Sequence, residues 1–258
     1  MAANQLEFRA LGPLEVTRDG LSLDLGPVRQ QALLGVFLSR PNETLTADTL
    51  LHAVWGDDPP NSGTRVVPTY VYRLRQCLGP DVSALTAIER ARGGYQLRVS
   101  WDLLDTERFE RRIAEGHQAR RAGDEQLARR LLASGLSYWR GVPFGSLPGP
   151  ALAVRREYLT EYRLVALEDR IELDLRYGDP AAIVPEIRLL RAGYPARERF
   201  TAHLMYALWR CGRQAEAVDA YGETRRRLVR DLGVEPGTAL RDLYCKILRD
   251  EGWNAPLR

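Results

Sequence analysis

Residues 65 to 79 read RVVPTYVYRLRQCLG, and this stretch decides the fold. Val67, Val71, Leu74 and Leu78 recur at spacings of four, three and four, which is the pattern of a helix that buries one side. The opposite side carries arginine, hydroxyl and amide groups and no acidic residue. Solvated helices usually mix acidic with basic side chains, so this side is predicted to meet a partner.

Pro68 restricts where the helix can begin. Proline has no N–H to donate, and it disfavours helical backbone angles at the preceding residue, Val67. Because proline is tolerated in the first turn of a helix, the regular helix is predicted to begin near Arg65 or later, with Thr64 or Arg65 as its cap. A kink between Thr64 and Val67 is the alternative.

The segments on either side of this helix complete a recognisable order. Short alternating apolar runs before residue 26, separated by Asp19-Gly20, predict a small antiparallel sheet. Two helices follow, PVRQQALLGVFLSR and ADTLLHAVW, the second with Thr46 as its N-cap. After the quoted helix, LTAI and GYQLRV flank ERARG and predict a β-hairpin tipped with Arg90 and Arg92. Residues 1–100 are therefore predicted to form a winged helix-turn-helix, whose third helix enters the major groove of double-stranded DNA.

This arrangement selects the candidate DNA-binding side chains. Arginine can bridge guanine O6 and N7, and glutamine can pair with adenine. Residues on the helix flanks are either structural or phosphate-binding, and the wing arginines are candidates for the minor groove or the backbone. The candidates are Arg65, Thr69, Tyr72, Arg73 and Gln76 on the acid-free face, Tyr70 and Arg75 on its flanks, Arg90 and Arg92 on the wing, and Arg29 near an earlier helix start.

The charge distribution favours the same region. The formal net charge of the whole chain is only +3. Residues 1–60 hold four arginines against eight acidic residues, whereas residues 61–100 hold six arginines against two. A local basic stretch can attract phosphate even where the domain is nearly neutral.

Several classes of protein are disfavoured by what the sequence lacks. No apolar run approaches the roughly 20 residues that a membrane span needs, and the N-terminus has no signal-peptide pattern, so a cytoplasmic protein without membrane contact is expected. The three cysteines are far apart, and His52, His117 and His203 are isolated, so no metal ligand is expected. Nucleotide-binding and nucleophile motifs are absent from the sequence, so no catalytic residue and no cofactor are expected.

Residues 101–258 are predicted to be all-α. Helical patterns follow one another, and the turn glycines Gly178 and Gly212 are 34 residues apart, the period of tetratricopeptide repeats. Gly123 marks the same turn in an earlier, divergent copy. The sequence thus predicts a mainly α protein, in which a tetratricopeptide-like helical domain follows the winged helix. Stacked helical arrays of this kind mostly bind proteins.

The chain resembles the Streptomyces antibiotic regulatory protein (SARP) family over roughly residues 5 to 250. The ordered set VWGDDPP, YVYRLR and LGVEPG carries the resemblance most specifically. The resemblance implies an OmpR-type winged helix and a bacterial transcriptional activation domain. It also implies an activator of antibiotic or other secondary-metabolite gene clusters, one that binds direct repeats at promoters and recruits RNA polymerase, including its sigma factor. Since larger relatives continue beyond this core, the chain looks like a small, stand-alone member.

Two further expectations depend on this frame. In OmpR-type proteins the loop before the recognition helix can meet polymerase, so Asp57 and Asp58 are polymerase-contact candidates by analogy, with ordinary turn chemistry as the alternative. A homodimer is expected at least on DNA, with two protomers on sites about one DNA turn apart. The alternative function is a helical protein-interaction adaptor with a degenerate winged helix, which would not need the acid-free face or the wing arginines.

Overall fold

The computed structural model describes residues 6–79 and 86–249. Strands and helices are numbered in chain order. The strands are β1 (Leu6–Arg9), β2 (Glu15–Arg18), β3 (Leu21–Ser22), β4 (Thr44–Leu45), β5 (Thr86–Ala91) and β6 (Gly94–Val99). The helices are α1 (Val28–Ser39), α2 (Ala47–Trp55), α3 (Val66–Leu78), α4 (Asp105–Arg121), α5 (Glu125–Leu136), α6 (Pro150–Tyr177), α7 (Pro180–Gly193), α8 (Glu198–Arg210), α9 (Gln214–Leu232) and α10 (Thr238–Leu248).

The strands form two small antiparallel sheets, ordered β1-β2-β3 and β4-β6-β5. Asp19 and Gly20 connect β2 to β3, and both have positive φ angles, +50° and +81°. Two-residue hairpin loops favour this backbone because its twist matches that of the strands. The N-terminal sheet predicted from the sequence is therefore confirmed, and β5 with β6 forms the predicted wing.

Helices α1, α2 and α3 pack around a common core, to which residues 65–79 contribute the predicted apolar stripe. Val67, Val71, Leu74 and Leu78 are all at most 2% exposed. The predicted cap is also present, since the Thr46 Oγ1 accepts a hydrogen bond from the Thr49 N–H at 3.1 Å. Burying each such aliphatic side chain contributes roughly 1.5–3 kcal/mol, so this stripe fixes which side of α3 faces outward.

The start of α3 agrees with the prediction made from Pro68. A short 3₁₀ turn, Gly63–Arg65, precedes the regular helix, and Arg65 occupies the N-cap position. Pro68 is then the third helical residue, where the backbone N–H would have no intrahelical partner in any case. The proline is therefore accommodated in the first turn of the α-helix.

From α4 onward the described chain is helical, as predicted. Gly123 joins α4 to α5 and Gly212 joins α8 to α9, and both adopt left-handed backbone angles, with φ of +85° and +73°. These positions favour glycine because a Cβ atom would be strained there. The mainly α fold class, with helical hairpins at the predicted turns, is confirmed.

The chain forms two compact units. The first contains residues up to 118 together with 133–164, and the second contains 119–132 together with the residues from 165 onward. This division by compactness is separate from the predicted domains 1–100 and 101–258, which remain a prediction. We call these parts the first unit and the second unit.

The first unit includes later segments of the chain that bind the N-terminal sheet region directly. The Asp105 carboxylate accepts hydrogen bonds from the Ala10 and Leu11 N–H groups at 2.7 and 3.0 Å. Burial raises the pKa of Asp105, and these two backbone hydrogen bonds oppose the rise. The Phe144 N–H donates to the Ala10 carbonyl at 2.8 Å. Polar backbone groups near Ala10 are therefore satisfied by residues far along the chain.

The second unit is organised around an acidic cluster on α6. Glu168, Asp169 and Glu172 lie within 3.3 Å of guanidinium nitrogens of Arg199 on α8, and Arg120 of α4 pairs with Asp169 and Glu172 at 3.0 and 2.8 Å. His203, one turn after Arg199, is fully buried, and burial lowers its pKa from about 6.5 to about 3.

Among residues 6–79 and 86–249, no helix combines the length and the apolar character that crossing a bilayer requires. Within the same ranges, no three His, Cys, Asp or Glu side chains are grouped as a metal site would need.

Candidate nucleic-acid interface

The exposed face of α3 brings together five of the side chains predicted to contact DNA. Arg65, Thr69, Tyr72, Arg73 and Gln76 are all exposed, and Tyr72 is 62% exposed. They lie opposite the buried stripe, and no acidic residue occurs between Val66 and Leu78. The geometry therefore presents guanidinium, hydroxyl and amide donors on one convex surface.

Tyr70 lies at the edge of this face and contacts both the protein and the exposed side chains. Its ring centroid is 5.8 Å from that of Trp55 at the end of α2, in a tilted arrangement. On the other side, the Arg73 guanidinium carbon is 6.0 Å from the Tyr70 ring centroid, within the range of a weak cation–π contact. Tyr70 thus supports the side chain of Arg73 while packing on α2.

Arg75 connects α3 to the wing. Its Nε donates to the Ile88 carbonyl of β5 at 2.7 Å. The sequence left a structural role and a phosphate-binding role open for Arg75, and this contact is evidence of a structural one. At the end of α3, Arg18 of β2 donates to the Leu78 carbonyl, which satisfies one of the free carbonyls at the helix C-terminus.

The base of the wing is fixed by Asn42. Its side-chain amide donates to the Val99 carbonyl at 3.0 Å, and its side-chain oxygen accepts from the Val99 N–H at 2.9 Å. β5 and β6 then run in register from Thr86 opposite Val99 to Ala91 opposite Gly94. The hairpin is consequently held at its base by Asn42 and closer to its turn by β4, where Leu45 lies opposite Tyr95.

Both predicted wing arginines are exposed near the turn of the hairpin. Arg90 lies in β5 opposite Tyr95, and Arg92 occupies the connecting turn beside Gly93, whose φ is +90°. Neither guanidinium makes a hydrogen bond or ion pair with a residue in the described part of the chain. Both charges are available to an external anion.

Arg29 is placed differently from the other candidates. Its Nη1 donates to the Val54 carbonyl at 2.7 Å, and its guanidinium carbon lies 5.6 Å from the Trp55 ring centroid. The side chain therefore joins the start of α1 to the end of α2, and this internal use weakens its candidacy as a phosphate ligand. Asp57 and Asp58 are exposed just after α2.

Two residues of the exposed surface were not among the candidates. Pro68 is exposed on the same side of α3 as Arg65 and Thr69. Its position in the helical period could have predicted this exposure. Arg98 on β6 is exposed and lies 3.4 Å from the Glu89 carboxylate. Alternation along β6 places it on the face opposite the buried Leu97 and Val99, a signal that the sequence also contained.

The combined arrangement suits recognition of double-stranded DNA. An α-helix fits the major groove, where each base pair presents a distinct pattern of donors and acceptors. The arginines of α3 supply paired donors for guanine or phosphate, and Gln76 supplies both a donor and an acceptor. The wing adds two positive charges at a second position, so one winged helix can contact bases and the sugar–phosphate backbone together.

Comparison with known proteins identifies both halves of the chain. The model of the transcriptional regulatory protein C-terminal family matches residues 23–97, and the model of the bacterial transcriptional activator domain matches residues 104–248. The chain is 41% identical over 247 residues to the regulatory protein AfsR of Streptomyces griseus, an alignment that covers 96% of this chain and 25% of AfsR. It thus spans about a quarter of the length of that relative.

Two other similarities cover more of the related protein. The regulatory protein DnrI of Streptomyces peucetius is 32% identical, with 95% of this chain and 92% of DnrI aligned. The solved structure of Mycobacterium tuberculosis EmbR in complex with a low-affinity phosphopeptide superposes with a TM-score of 0.89 at 30% identity, covering 96% of this chain and 66% of EmbR. With its winged helix, its helical activator domain and these relatives, the chain belongs to the SARP family of DNA-binding transcriptional regulators.

Proposed function

We propose that this chain is a sequence-specific transcriptional activator that reads promoter DNA through α3. The observation that carries the proposal is the sidedness of α3. One side is anchored by four residues that are at most 2% exposed, and the other offers arginines, a tyrosine and a glutamine with no acidic residue among them. A surface of this kind attracts phosphate and can discriminate bases, whereas an interaction adaptor has no need of it.

The proposed division of labour follows from position. Arg73 and Gln76 lie in the middle and last turns of α3, where they can approach base edges, and Arg65 at its N-cap is suited to phosphate. Arg90 and Arg92 on the wing would contact the adjacent minor groove or the backbone. Tyr70 and Arg75 hold the helix and the wing in place, by their contacts with Trp55 and Ile88.

The finer biological role is also a proposal. We infer that two protomers occupy direct repeats as a homodimer on DNA, since one winged helix covers only one short half-site. We further infer recruitment of RNA polymerase and its sigma factor, with Asp57 and Asp58 as exposed candidates for that contact. The regulated genes would belong to an antibiotic or other secondary-metabolite cluster, in keeping with the family's name. We also propose that the protein acts in the cytoplasm and is not an enzyme, in keeping with relatives that are named as regulatory proteins.

The test is a comparison of two arginine variants in DNA binding. Arg73→Ala should weaken binding to a target promoter by about tenfold or more, since one good base contact is worth roughly 1–3 kcal/mol. Arg130→Ala, at an exposed position on α5, removes the same charge outside the interface and should change affinity by less than about twofold. Fluorescence anisotropy with labelled promoter and unrelated duplexes gives both values.

The same titrations at increasing salt supply an independent measurement. Log affinity should fall linearly with log salt, with a slope of about −0.9 for each phosphate neutralised. Equal losses for the Arg73 and Arg130 variants, or an affinity that does not respond to salt, would refute DNA reading by α3.

A further inference from the structure

A cleft between α7 and α9 has an unusual charge. It has a volume of about 590 Å³, and its lining consists of five arginines, one glutamate and an alanine: Arg188, Arg191, Arg226, Arg227, Arg230, Glu223 and Ala192. A second cavity of about 200 Å³ shares Arg188, Arg191 and Glu223 with it and is floored by Leu204 and Leu208 of α8. The two cavities therefore form one groove, which we call the arginine groove.

Arg191 is held in position within the arginine groove. Its Nη2 lies 3.1 Å from the Ala220 carbonyl, 3.3 Å from the Thr224 hydroxyl and 2.8 Å from the Glu223 carboxylate. These contacts join α7 to α9 and leave the Arg191 side chain only 18% exposed. Because all of these hydrogen bonds use one nitrogen, the rest of the guanidinium fork can meet a ligand that enters the groove.

Arg226 and Arg227 stand apart from most arginines of the second unit. Arg120, Arg170 and Arg199 each form ion pairs with carboxylates at 3.5 Å or closer. By contrast, the guanidinium groups of Arg226 and Arg227 make no hydrogen bond or ion pair with any residue in ranges 6–79 and 86–249. Two guanidinium groups that form no ion pair, beside a third that is held in position, favour an anionic ligand.

The shape and charge of the arginine groove favour a peptide over DNA. The cleft has the size of a ligand site and lies between two helices, whereas duplex DNA presents a continuous convex row of phosphates. Glu216, Asp219 and Glu223 line the adjoining half of the groove and would repel that row. A peptide can place its carboxylates on the arginines and its uncharged residues near the acidic half, which is how arginine clusters recognise acidic motifs.

We propose that the arginine groove docks an acidic peptide segment of a partner protein. Carboxylates of the segment pair with Arg226 and Arg227, and one of them replaces Glu223 on the positioned Arg191, while Arg230 keeps its ion pair with Asp231 at 2.7 Å. The exchange keeps the number of ion pairs at Arg191 constant while neutralising the arginines that lack partners. This docking goes beyond DNA reading and does not depend on it, because the groove belongs to the second unit and α3 to the first.

The test measures binding of the full chain to a labelled peptide. The probe is a fluorescein-labelled synthetic peptide of about ten residues in which Asp and Glu predominate, and its control replaces them with Asn and Gln. The acidic peptide should bind and the control should not. The double variant Arg226→Glu/Arg227→Glu should weaken binding roughly tenfold or more, because two attractive charges become repulsive.

A matched variant separates the groove from general charge. Arg121→Glu/Arg130→Glu makes the same change of charge at two exposed positions of the same unit, and it should alter peptide affinity by less than about twofold. The milder Arg226→Gln/Arg227→Gln pair should weaken binding in the same direction by a smaller factor. Circular dichroism melts establish whether each variant is folded. If the Glu double variant unfolds, the peptide affinity of the Gln double variant tests the proposal instead.

Three results would overturn the proposal. The first is no binding of the acidic peptide, and the second is an equal loss in both Glu double variants. The third is groove-dependent binding of an unrelated DNA duplex, or of inorganic phosphate, in preference to the peptide, which would make the groove a phosphate site. Promoter binding by α3, measured on the same variants, should remain unchanged in every case, so this test and the Arg73 test fail separately.

Discussion

His203 is fully buried, and neither imidazole nitrogen has a hydrogen-bond partner among residues 6–79 and 86–249. Arg199, close by, also disfavours a second positive charge, although Asp169 acts in the opposite direction. The pKa of His203 is therefore lowered to about 3, while in the unfolded chain it returns to about 6.5. Between these values the unfolded state binds more protons, so this contribution to stability is present above about pH 6.5 and is lost as the pH falls.

This difference in pKa predicts a measurable loss of stability in mild acid. Between pH 7 and pH 5, His203 should lower the free energy of unfolding by about 2 kcal/mol. His203→Leu replaces the ring with an apolar side chain and should remove that part of the pH dependence. Urea denaturation at both pH values gives the comparison. An identical change with pH in the two proteins would show that His203 does not titrate on unfolding.

At the same scale, the role of an arginine was only partly visible in the sequence. The exposure of Arg73 followed from its place in the helical period, since the buried positions around it were apolar. The hydrogen bonds of Arg29 to Val54 and of Arg75 to Ile88 could not be predicted from the sequence. Their acceptors are backbone carbonyls, and every residue offers one. The charge of an arginine predicts attraction to phosphate, but the fold decides whether its guanidinium is already engaged.

Among the elements, α3 shows how a helix can tolerate a proline in its first turn. Pro68 is the third residue of the helix, after the 3₁₀ turn Gly63–Arg65, so it removes no intrahelical hydrogen bond. Its fixed φ angle also reduces the freedom of the unfolded chain. The proline therefore restricts where α3 begins at little cost in stability.

This reading predicts different effects for two proline changes. Pro68→Ala should reduce the free energy of unfolding by no more than about 1 kcal/mol and should leave promoter affinity within a few-fold. Tyr72→Pro, four residues later, places a proline in the helix interior and should cost about 3 kcal/mol or more. Denaturation curves of both variants provide the check. A loss for Pro68→Ala as large as that for Tyr72→Pro would mean that the start of α3 depends on the proline ring.

Local patterns predicted the elements better than the contacts between them. The buried stripe of α3, the Thr46 cap and the turns at Asp19-Gly20 and Gly212 follow from backbone preferences within a few residues. Asp105 instead satisfies the N–H groups of Ala10 and Leu11, which are 95 and 94 residues away. No periodicity or turn signal encodes such a pairing, because it exists only once both segments have folded.

At the scale of the whole molecule, the first unit extends well beyond the winged helix itself. Leu152 of α6 is completely buried, and a Cβ atom added to Gly35 of α1 would lie 3.1 Å from its side chain. The sequence predicted a boundary at residue 100 because the strand patterns end there. A change in local pattern does not reveal that later helices complete the core of the earlier segment.

Two fragments of the protein should therefore differ in stability. Residues 1–164 retain the contacts of Asp105, Phe144 and Leu152 with the N-terminal segment, and should unfold cooperatively. Residues 1–100 lose them, which removes two hydrogen bonds to a carboxylate, worth roughly 1.5–3 kcal/mol each, and exposes apolar surface. Thermal melts and binding of a hydrophobic dye measure the difference. Equal melting temperatures and no dye binding by the shorter fragment would establish residues 1–100 as self-sufficient.

The hydrogen bond from Arg75 to the Ile88 carbonyl has a consequence for the choice of binding site. Since this hydrogen bond links α3 to the wing hairpin, a change in their separation on an overwound or underwound duplex would have to break it. Promoters with the same bases but a different helical twist would then pay an elastic cost. Selectivity for the torsional state of the chromosome would then depend in part on Arg75.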